Sequence, residues 1–99
     1  MPESRSHKIT ANRIAKKFNT TYNDQEGVDI NTLQLAVEVE TPETVKDGLR
    51  QLQGFRKPVY IAGTNKEAVQ KALEFTKNTT VGVMDPQGKI IKKASRKKS

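Results

Sequence analysis

The chain contains no cysteine, no tryptophan and a single histidine, His7, in 99 residues. Without thiols there is no disulfide, no thiolate zinc site and no cysteine nucleophile. One histidine excludes histidine-based metal cages and a Ser-His-Asp triad within one subunit. No apolar run reaches the roughly 18 residues a membrane-spanning helix needs, and no glycine-rich phosphate loop is present. Met1–Ser6 has no apolar core of a secretory signal, so the expectation is a cytoplasmic protein with no membrane partner. The length admits one domain. A hydrophobic content of 33% suffices for a small core, not for a large enclosed ligand cavity.

What is present is unevenly spread. The formal charge is +7. Residues 1–88 hold twelve bases and eleven acids, whereas 89–99 hold six bases and no acid. The body is nearly neutral and the end is basic. Such an end attracts phosphates through counterion release with little sequence preference. It also serves as a solubilising tail, or meets an anionic membrane surface.

Residues 1–8 read as disordered. Ala11, Ile14, Ala15 and Phe18 share one face of a helix over about 9–18, with Ser6 or Thr10 as N-cap and Arg13, Lys16 and Lys17 opposite. Residues 19–22 are β-prone but short, and 23–27 form a loop. Val28-Asp29-Ile30 is a short strand. From Leu33 to Glu40 the alternation has period two, with leucines and valines on one side and Gln34, Ala36, Glu38 and Glu40 on the other. Thr41-Pro42-Glu43 starts a helix that Gly54 stops. Val59–Ala62 is a buried strand. Thr64–Glu67 is a capping box opening a helix over 65–77. Strands over 79–84 and 89–92 flank an Asp85–Gly88 turn. The fold class is α/β, a mixed central β-sheet flanked by helices. One domain spans 9–92, followed by a disordered basic tail at 93–99.

The chemistry-bearing stretch is Asp29 on one strand and Glu38 and Glu40 on the next. Glu38 and Glu40 share a face about 7 Å apart. Adjacent strands bring Asp29 and Glu38 to one point, an oxygen-rich pair suited to Mg²⁺ or Mn²⁺. A metal there polarises a phosphate and acidifies its water, while Glu40 serves as general base or second ligand. The same alternation also describes any half-exposed strand with solvated glutamates. A strand between two crossover connections is central, however, and three carboxylates on it repel one another unless a cation intervenes.

Order and spacing resemble the PD-(D/E)xK nuclease superfamily, whose restriction-endonuclease-like core is α-β-β-β-α-β. Asp29 takes the motif Asp and Glu38 the (D/E) position. Gln51-Leu52-Gln53-Gly54-Phe55 is similar to the QxxxY element of the RecB-like branch, with Phe for Tyr. The compact size is similar to that of small Holliday-junction resolvases. The resemblance covers about 9–63, leaving the helix at 65–77 and the C-terminal hairpin as additions. Glu40 stands where the family has its lysine, and Lys46 or Lys57 is the nearest substitute in sequence. The resemblance implies a metal-dependent endonuclease acting on DNA, with Asp29, Glu38 and Glu40 catalytic and Asp29 and Glu38 metal-binding. Arg13, Lys16, Lys17, Gln51, Lys92, Lys93, Arg96, Lys97 and Lys98 would hold nucleic acid, and a homodimer would cover more of it. The alternatives are a non-catalytic nucleic-acid-binding module of the same fold and a protein-interaction domain with a solubilising tail.

Overall fold

The computed structural model describes residues 5–22 and 28–95. Its elements are α1 (Arg5–Lys17), β1 (Ile30–Asn31), β2 (Ala36–Glu40), α2 (Val45–Gln51), β3 (Val59–Gly63), α3 (Lys66–Phe75), β4 (Gly82–Met84) and β5 (Ile90–Lys92). The five strands lie side by side in chain order. β2, β3 and β4 are parallel, in register from Ala36 opposite Val59 to Glu40 opposite Gly63, and β1 and β5 close the edges antiparallel. This is an α/β fold with a five-stranded mixed sheet and helices on both faces.

Two parallel steps in the same direction, made with the same hand, place α2 and α3 on one face. The alternation along each strand then divides the core. Val37, Val39, Tyr60, Ala62 and Met84 pack with Ile14 and Ala15 of α1. Ala36, Ile61 and Val83 pack under Val45 and Leu52 from the α2 side and Ala72 of α3. Glu38 and Glu40 share parity with Ala36 and so point to the α2 face.

Several boundaries differ from the sequence expectation. α1 begins at Arg5, so residues 5–8 are helical, and Ser6 and Thr10 are interior helix residues, not caps. Residues 1–4 lie outside the described residues, as do the loop at 23–27 and residues 96–99 of the tail. No strand forms at 19–22. The β2 alternation starts at Ala36, not Leu33, because Thr32 Oγ1 accepts from the backbone N–H of Gln34 and Leu35 and turns the chain. Leu33 is left 93% exposed. Thr41–Thr44 forms a turn ahead of α2, held by Thr41 N–H on Thr44 Oγ1 at 2.9 Å. Gly54 follows α2 with φ +91, a conformation glycine adopts freely. Asn65, not Thr64, caps α3, accepting from Ala68 N at 2.8 Å. The Asp85–Gly88 turn forms as expected, with Asp85 Oδ1 accepting from Gln87 and Lys89 N–H.

Candidate functional site

The carboxylate cluster begins just ahead of β1. Opposite β2, Ile30 pairs with Val37, which brings the preceding Asp29 beside Glu38. Asp29 then replaces a backbone acceptor, because its Oδ2 takes the Val39 N–H at 2.8 Å. In return its own N–H donates to Glu38 Oε1 at 2.8 Å. Asp29, Glu38 and Glu40 are 7%, 3% and 6% exposed. The glutamates are therefore buried, not the solvated face of a half-exposed strand.

Glu40 lies beneath α2. A Cβ on Gly48 would stand 2.6 Å from Glu40 Cγ, so the missing side chain is what lets the helix settle over the carboxyl. Burial pushes the Glu38 carboxyl up to about 9, reinforced by the charge of Asp29, while the hydrogen bond from the Asp29 amide opposes it. Burial also raises Glu40, to about 7, against hydrogen bonds from Thr44 and Glu38 that favour its ionised form. Burial thus favours the protonated form of both glutamates, Glu38 more strongly than Glu40. Among the described residues every buried side-chain nitrogen and oxygen has a hydrogen-bond partner.

His7 belongs to this site, against the expectation of a disordered terminus. From the first turn of α1 its Nε2 lies 3.1 Å from Asp29 Oδ2, and Tyr22 Oη is 3.4 Å from its Nδ1. The tether explains why α1 extends to Arg5. The signal available in sequence was helical spacing: His7 falls four and seven positions before Ala11 and Ile14, on the face that packs on the sheet.

Lys46 and Lys57, the substitutes that the resemblance suggested for a catalytic lysine, are engaged by other residues. Lys46 Nζ lies over the Phe75 ring, 5.2 Å from its centroid. Lys57 Nζ donates to Asn31 Oδ1 and to Thr32 O, at the far end of β1. Among the described residues no three His, Cys, Asp or Glu side chains already converge on a point where one ion could sit.

Three of the expected nucleic-acid contacts bond backbone carbonyls. Arg13 donates to Pro86 O at 3.4 Å and Lys17 to Gly88 O at 2.6 Å, fastening α1 to the β4–β5 turn. Lys92 is drawn inward, its Nζ donating to the carbonyls of Thr76 at 2.6 Å and Val81 at 2.8 Å, and burial lowers its pKa. These three are structural donors. Lys16, Gln51 and Lys93 are exposed, while Arg96, Lys97 and Lys98 lie outside the described residues. Among the described residues no helix is long and apolar enough to cross a membrane.

No protein-family model matches the chain, and no curated protein or solved structure does.

Proposed function

We propose that this domain hydrolyses phosphodiester bonds in DNA, with Mg²⁺ or Mn²⁺ held by Asp29 and Glu38 on a restriction-endonuclease-like core formed by α1 to β3. One observation carries the reading: Asp29, just ahead of β1, is joined through its backbone N–H to the Glu38 carboxyl on β2, and both residues are buried. The donor set is all oxygen, which suits a hard divalent ion. With two protein ligands, the remaining positions fall to water and phosphate oxygens, which is usual for Mg²⁺. Bound there, the ion supplies Lewis-acid polarisation of the phosphate and a more acidic water. Asp29 Oδ2 is fixed by Val39 N–H and His7, which orients the carboxylate. Glu40, raised to about 7, is suited to take a proton near neutral pH.

The test is a Mg²⁺ and Mn²⁺ titration followed by amide NMR shifts, on wild type and Glu38→Gln, with plasmid and branched-DNA cleavage on the same samples. Shifts centred on Asp29, Glu38 and Glu40 that vanish in the variant, together with metal-dependent cleavage, support the proposal. Silence at those residues at millimolar metal overturns it. A second reading, a nucleic-acid-binding module without catalysis, draws on the placement of Lys46 and Lys57 away from the cluster. It requires DNA binding that weakens with salt and persists in Asp29→Asn.

A further inference from the structure

A groove of about 1400 Å³ crosses the end of the sheet opposite Glu40, where β2, β3 and β4 begin. Its walls are the β1–β2 connection, the segment from the end of α2 to Val59, the α3–β4 connection, and Lys93–Ser95. The floor is apolar, through Leu49, Leu52, Val59 and Val81. The rim carries Arg56, Lys57 and Lys93. No Asp or Glu is among the described residues lining it, in a body where acids nearly equal bases. Half-buried Phe55 stands in the wall with Lys57 Nζ 5.8 Å from its ring centroid. Ser95 N–H donates to Thr80 O at 3.0 Å. That bond holds the chain at the rim immediately before Arg96, Lys97 and Lys98 in the sequence.

The volume exceeds that of ordinary small-molecule pockets, which run to about 1,000 Å³, so the shape suits an extended ligand. The lining selects its chemistry: repeated negative charge for the rim, and flat apolar faces for the floor and Phe55. We infer that this groove binds single-stranded nucleic acid, with bases on the apolar lining and Phe55, and phosphates at Arg56 and Lys93. A duplex keeps its bases stacked inside and presents only its backbone to such a surface. The inference is independent of the carboxylate reading. The groove lies at the other end of β2 and needs no metal.

The experiment is fluorescence anisotropy in EDTA with the full chain. The probes are a labelled oligodeoxythymidine of about 20 nucleotides and the same strand in a duplex. EDTA separates this test from the metal proposal, since failure of either leaves the other standing. The double variant Arg56→Glu/Lys93→Glu, at exposed positions that leave the core untouched, is expected to weaken single-strand binding at least about tenfold. It should also make the slope of log affinity against log salt shallower by about 1.4, for two lost phosphate contacts. The charge-matched Lys8→Glu/Lys66→Glu, away from the groove, should stay within about threefold of wild type, as only diffuse charge is lost. Phe55→Leu is expected to cost on the order of tenfold with the salt slope unchanged, since stacking and not charge is removed. Equal loss from the two charge pairs overturns the inference, as does duplex binding as tight as single-strand binding, or full affinity in a folded Phe55→Leu.

Discussion

Glu38→Gln should stabilise the metal-free protein above neutral pH while removing its metal site. Glu38 is held protonated by burial, with a folded-state value of about 9 against an ordinary 4.5. Between those values the unfolded chain has released the proton and the folded chain has not. Fewer protons on the unfolded state means that stability falls as pH rises, by about 1.4 kcal/mol for each pH unit per group. Glu40, raised to about 7, adds to the slope between 4.5 and 7. From pH 5.5 to 7.5 the wild type therefore loses about 3 kcal/mol or more, which for a domain near 100 residues is on the order of 10 °C in Tm. Glutamine keeps the acceptor for the Asp29 N–H and a donor for Glu40, but carries no proton to lose. In EDTA, thermal melts should show Glu38→Gln above wild type by about that margin at pH 7.5 and equal to it within a degree or two near pH 4. Its profile should be flatter across the interval. Millimolar Mg²⁺ should narrow the gap by raising wild type alone. A flat wild-type profile, or a variant that melts lower at pH 7.5, would refute the reasoning.

Gly48→Ala should destabilise by about 1–3 kcal/mol through overpacking, because the new methyl stands 2.6 Å from Glu40 Cγ. In a Glu40→Ala background, chemical denaturation should show that cost nearly gone. Lys92→Met should cost about 1–3 kcal/mol by orphaning the carbonyls of Thr76 and Val81, yet leave oligonucleotide affinity within about twofold, since its charge is already turned inward. His7→Ala should lower stability by about 1 kcal/mol and raise hydrogen-exchange rates over the first turns of α1, whose link to Asp29 it removes.

The order of elements along the chain and the α/β layering were legible because their causes are local and repeated. Period-two alternation in β2, the apolar run of β3 and the capping signals around α3 each report burial on their own. The first turns of α1 were not legible. Arg5-Ser6-His7-Lys8 is polar throughout, and the tertiary contact of His7 with Asp29 and Tyr22 helps to hold it. The start of β2 was misread because Leu33 and Leu35 extend the alternation, whereas the Thr32 hydroxyl captures two amides and ends the strand first. The backbone bonds of the basic residues were not legible either. Arg13, Lys17 and Lys92 are long enough to reach backbone carbonyls about seventy, seventy and sixteen positions away, and sequence spacing carries no sign of such reach.

The carboxylate cluster itself was legible in residue type but not in environment. Val-Glu-Val-Glu on a strand describes a wet face and a buried face equally well, and the helix above decides between them. α2 covers Glu40 because Gly48 leaves room for it. A larger residue there would force the helix outward and admit water to both glutamates. The cluster then costs the fold stability at every pH where its carboxyls would otherwise ionise. Replacing buried ionisable groups by packed apolar ones commonly recovers such a cost. On the proposed function the compensation is a cation, which takes the place of the protons and turns the same desolvation into affinity. That makes metal-linked stabilisation, measured as the rise of Tm with Mg²⁺ or Mn²⁺ at fixed pH, the quantity most closely tied to the reading. It should grow from pH 6 to pH 8, because a cation binding at Glu38 must displace a proton that is released more readily as pH rises, and it should be absent in Glu38→Gln.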